Sequence, residues 1–201
     1  MCKKLVRGFG INDIDGPTFI IDENGKKKTN PYYQRWANML ERVMNHPDYK
    51  DVLIYEDWRY RSKFEEWMKG QEWIDKDLDK DILSVNGLRE YGPQTCIFID
   101  SKLNKFFNDQ RKTNSSYPLG VRLHDKSYSA RCWYKGKRYN LGAYDTPSSA
   151  HKAWQEFKYK AICEIASDKE LDERLRLGLE KVAAKIKFEF DNNIETTGYW
   201  N

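Results

Sequence analysis

Apolar and polar positions change period several times along the chain, and each change predicts an element. TFIIDENGKKKT sets an apolar run against a basic one around Asn24-Gly25, the signal of a hairpin-like lead-in over residues 1–30. Asn30 followed by Pro31 marks a helix start, and Tyr32, Trp36, Met39, Leu40 and Val43 recur at helical spacing until Pro47. A second helix is expected from Ser62 to Lys69, where Ser62 and Glu65 have capping-box spacing and Phe64, Trp67 and Met68 turn inward. LDKDIL, a VNG turn, TCIFI and SKLNKFFN then read as strand, loop, strand and helix between Leu78 and Asn108.

The polar run NDQRKTNSS ends that pattern and marks a domain boundary. After it, YPLGVRLH, SYSARCWY and KRYNLGAY alternate as three strands, joined at His124-Asp125-Lys126 and at Lys135-Gly136. Thr146 and Pro147 open a helix whose inner stripe is Ala150, Ala153, Trp154 and Phe157. A last amphipathic helix is expected from the Ser167-x-x-Glu170 capping box through Leu171, Leu175, Leu179, Val182 and Ile186. Its apolar stripe suits packing within the chain or a homodimer. The fold class expected is α+β.

Composition narrows the class. With 39% hydrophobic and 33% charged residues in 201, the chain can bury a core and reads as soluble. It has no apolar run of membrane-spanning length, and MCKKLVRGFGIND lacks the apolar stretch of a signal peptide. Cys2, Cys96, Cys132 and Cys163 are scattered without a C-x-x-C pair, which fits reduced thiols in a cytoplasmic setting. The net charge of +4 is mild, but its distribution is uneven. Between Asn114 and Ile162 nine basic residues face three acidic ones, a local +6 that leaves −2 for the remainder.

Alternation places that charge. If Val121, Leu123, Tyr128, Ala130, Cys132, Tyr139 and Leu141 face the helix stripe, the opposite face carries Arg122, His124, Ser129, Arg131, Trp133, Arg138 and Asn140. Arginine bonds bidentately to guanine and asparagine to adenine, and an aromatic ring contacts a thymine methyl or a sugar. Lys126, Lys135 and Lys137 stand at turns, where lysines meet phosphates and set register. The partner this face calls for is double-stranded DNA.

The residues G-V-R, S-A-R-C-W and K-R-Y-N-L-G-A-Y-D-T-P-S-S-A resemble the Apetala-2 (ethylene-response-factor-like) DNA-binding domain over residues 117–165. That resemblance implies a sheet that reads the major groove, with Arg122, Arg131, Trp133, Arg138 and Asn140 at base-contacting positions. Asn140 stands where the family usually has tryptophan, and Arg131 where many members have glutamate, so the target sequence does not carry over. Upstream, YYQRWANMLERV, YEDWRYRSKFEEWM, LDKDIL and YGPQTCIFI resemble phage-encoded HNH proteins, in which an Apetala-2 domain often follows the HNH module. The organisation implied is an HNH-like ββα module over 31–108, a linker at 109–116, the DNA-binding domain, and a C-terminal helix over 166–190. The function implied is a homing endonuclease acting in an infected bacterial host cell. The alternative is a DNA-binding regulator or blocking protein that keeps the HNH-like fold without cutting.

Such cutting needs a divalent metal such as Mg2+, and a base that takes a proton from the attacking water. Asp79 and Asp81 share a strand face, and Asn104 follows on the next helix, so Asp79 and Asn104 are the candidate metal ligands. Lys80 stands where the general-base histidine is expected, and a lysine at its ordinary pKa of about 10.4 is protonated and a poor base. The three histidines are His46, His124 and His151, none of them between Leu78 and Asn108.

Overall fold

The computed structural model describes residues 5–84, 87–108 and 116–200. Val85 and Asn86 of the expected VNG turn, and residues 109–115 of the expected linker, lie outside them. The chain divides into two compact units between Phe98 and Ile99. The fold class is α+β, with several small sheets and one three-stranded antiparallel sheet.

In the first unit, β1 (Phe19–Ile21) and β2 (Lys27–Thr29) pair antiparallel as the expected hairpin. Helix α1 (Pro31–Asn45) starts where Asn30 Oδ1 accepts the Tyr32 and Tyr33 N–H groups. Strand β3 (Leu53–Ile54) pairs in parallel with β5 (Glu90–Tyr91). Helix α2 (Arg61–Lys69) begins one residue before the expected start, and Ser62 is not its cap. The N–H and hydroxyl of Ser62 instead go to the Asp13 carboxylate, so a residue far upstream satisfies the first turn. The core is aromatic: Trp36, Trp58, Phe64 and Tyr91 are almost wholly buried, and Trp67 lies against Trp58 and Phe98. Strand β4 (Lys76–Asp79) ends at a turn that carries Lys80 and Asp81.

The unit boundary falls inside β6 (Ile97–Asp100), and α3 (Ser101–Phe107) belongs to the second unit. The boundary thus falls within the expected strand–strand–helix run.

In the second unit, β7 (Val121–His124), β8 (Ser127–Tyr134) and β9 (Lys137–Tyr144) form the antiparallel sheet in the order β7-β8-β9. Lys135 and Gly136 both have positive φ, the backbone that lets a two-residue hairpin follow the twist of its strands. One bulge interrupts β9: Ala130 pairs with Gly142 and Arg131 with Asn140, leaving Leu141 as the extra residue. Side-chain alternation therefore changes phase after Leu141. Helix α4 (Pro147–Ala166), capped by Thr146, covers the sheet with Ala150 and Trp154, both wholly buried. Gly120 admits this close contact, because a Cβ there would lie 2.0 Å from Trp154 Cδ1.

Helix α5 (Glu173–Asp191) starts later than the sequence pattern implies. Ser167 closes α4, Asp168 turns the chain, and the cap is Asp172, whose carboxylate accepts from Arg174 and Leu175 N–H. Leu171 falls in the turn. Leu175, Leu179, Val182 and Ile186 are buried, and α5 packs on α4, so the apolar stripe is used within the chain.

Candidate nucleic-acid interface

The exposed face of β7–β9 is built from cross-strand pairs. Trp133 sits opposite Arg138, Arg131 opposite Asn140, and Arg122 opposite Ser129. Partners of this kind have Cα atoms about 4.5–5.5 Å apart, and successive outward residues on one strand are about 7 Å apart. Five large polar or aromatic side chains thus stand on a sheet whose outer strands are about 10 Å apart, against a major groove about 12 Å wide. Trp133 is 51% exposed although the strand residues on either side of it are buried. Its indole is displayed, not packed.

The electrostatics single out the arginines. The guanidinium groups of Arg122, Arg131 and Arg138 have no ion-pair or hydrogen-bond partner among the described residues. Asn140 Oδ1 accepts weakly from Gly142 N–H at 3.4 Å, which leaves its amide nitrogen facing outward as a donor. His124 Nδ1 lies 3.2 Å from the Asp125 carboxylate at the β7–β8 turn. Lys135 bonds to Glu164 at 2.6 Å, and that bond raises the lysine pKa and lowers the glutamate pKa, so Lys135 has an acidic partner where the three guanidinium groups have none. Lys137 is exposed at the start of β9.

Two residues counted toward this surface expose almost nothing to it. Ser129, expected outward, is only 5% exposed, and its hydroxyl bonds to the Arg122 carbonyl on the neighbouring strand. Lys158, part of the local +6, is wholly buried with its ammonium on the Phe106 carbonyl and against the Phe106, Phe107 and Tyr199 rings. No local sequence signal separates it from a solvated lysine. The third histidine, His151, is structural: Nδ1–H donates to the Leu119 carbonyl and Nε2 accepts from Thr196 N–H.

The upstream candidates come from both units. Asp79, Lys80 and Asp81 lie together in the first unit, whereas Asn104 lies on α3 in the second. Asp79 Oδ1 accepts from the Asp81 and Ile82 N–H groups at 2.9 and 2.8 Å, closing the turn after β4. Burial pushes its carboxyl up to about 6, with the nearby Asp81 charge adding to the rise. The Lys80 ammonium is bonded to Asp81 Oδ1 and lies over the rings of Tyr49 and Tyr91. Burial also pushes the neighbouring Cys96 thiol up to about 12, which makes it inert. His46 is exposed and caps the short 3-10 turn Pro47–Tyr49 through Nδ1.

One carboxylate oxygen closes a turn, another holds an ammonium, and no group of three His, Cys, Asp or Glu side chains is placed to ligate among the described residues.

The class defined by this fold is an α+β protein with a basic, aromatic sheet face backed by a helix. No family model, curated protein or solved structure matches the chain. No helix among the described residues is long and apolar enough to cross a membrane.

Proposed function

We propose that the chain is a sequence-specific double-stranded DNA-binding protein that inserts the exposed face of β7–β9 into the major groove. The observation that carries this reading is the set of three unpartnered arginines around a displayed Trp133 on one sheet face. An arginine held by a carboxylate is already satisfied; one left in solvent on a rigid strand is free to take guanine edges or phosphates. The resemblance to the Apetala-2 domain supports the same face, and the resemblance to phage HNH proteins supports a homing-endonuclease relative. Whether such a relative cuts depends on the turn after β4. The carboxylates there are engaged within the chain, which favours the second reading, a regulator or blocking protein that binds without cleaving.

Selection of bound duplexes from a random pool should return one preferred site. Replacing Arg122, Arg131 or Arg138 with alanine should weaken binding to that site by about 10- to 100-fold each. The triple variant should also flatten the slope of log K against log salt by as much as ~3. Unchanged affinity in the triple variant would remove the sheet face from the proposal. Incubating the same duplex with magnesium or manganese, and mapping nicks, separates the cutting protein from the blocking one.

A further inference from the structure

Lys80 is 5% exposed, and a buried ammonium persists only where its charge is answered. Three groups answer it here. Asp81 Oδ1 accepts a hydrogen bond from Nζ, and the rings of Tyr49 and Tyr91 lie 5.3 and 5.9 Å from it. Those two rings are themselves parallel, 6.4 Å apart. Asp79, the next carboxylate, is close enough for the ammonium to lower its pKa against the rise caused by burial. A cation thus already sits among the acidic side chains of this turn, supplied by the chain itself.

We propose that the Lys80 ammonium is the built-in cation of the Asp79–Asp81 turn, so that the turn is held without a divalent metal and carries out no metal-dependent cleavage. A divalent ion entering beside Asp79 or Asp81 meets the ammonium charge at close range, and the Asp79 oxygen that binds two backbone N–H groups is already engaged.

Manganese tests this directly in the full-length protein, by titration followed through paramagnetic broadening and through the unfolding temperature at matched ionic strength. The wild type should show no manganese site that depends on Asp79. Lys80→Met, which keeps the side-chain volume and removes the charge, should bind manganese roughly tenfold tighter or more. Lys80→Gln serves if the methionine variant does not fold. A stoichiometric wild-type site that vanishes in Asp79→Asn would overturn the proposal. Lys80→Met or Lys80→Gln folding normally with no gain in manganese affinity would equally show that Lys80 is not what excludes the ion. DNA binding by the same samples reports on the sheet face alone, so failure here and failure of the DNA-binding reading are distinguishable.

Discussion

Asp79 keeps its carboxyl at about 6, well above the ordinary aspartate value, because burial disfavours the charge and Asp81 repels it. Between about pH 4 and pH 6 the folded state therefore holds a proton that the unfolded chain has released. Stability from this group is fully present below the unfolded pKa of about 3.9 and is lost as pH rises through 6. Asp79→Asn removes the titration and can still accept the two N–H groups of the turn. Between about pH 4 and pH 7 its stability relative to wild type should improve by up to roughly 3 kcal/mol. Denaturant unfolding of both proteins across that range measures it; a constant difference would mean the carboxyl titrates normally. At this scale the sequence was readable where a side chain's direction followed from alternation, as for Arg131 and Trp133. It was not readable where direction came from distant partners: nothing near Lys158 announces Phe106 and Tyr199, and nothing near Ser62 announces Asp13.

Strands β8 and β9 coincide with the expected SYSARCWY and KRYNLGAY, since alternation and a Lys-Gly turn fix both ends. Helix α5 was less legible because Ser167 and Asp172 both suit a cap, and the choice rests on where α4 runs out. The bulge at Leu141 also escaped, because a glycine next to it is compatible with an unbroken strand. The join of sheet to helix can be tested at Gly120, which combines φ +76° with contact against the Trp154 ring. Gly120→Ala should cost roughly 2–5 kcal/mol, from backbone strain and overpacking together. Gly136→Ala is the control: φ is +75°, but the nearest neighbour is Lys102 Cδ at 3.9 Å. It should cost only the backbone part, about 1–2 kcal/mol. Equal losses in the two variants would mean that the Trp154 contact contributes nothing.

The two-unit division predicts that the second unit stands alone. A fragment spanning residues 99–201 should unfold in one cooperative transition and bind duplex DNA with the salt slope of the whole chain. A shallower slope would place part of the DNA contact in the first unit. The bulge has a last consequence at this scale. By shifting the phase after Leu141, it puts Ala143 beside Ser129 on the outer face, while Trp133 with Arg138 and Arg131 with Asn140 crowd the end nearer the Lys135-Gly136 turn. The reading surface of β8 and β9 is consequently tall at one end and low at the other. On the DNA-binding proposal, a surface with a head and a tail would distinguish the two directions along a duplex, so a single copy would land in one orientation and its recognition site would have no need of two-fold symmetry.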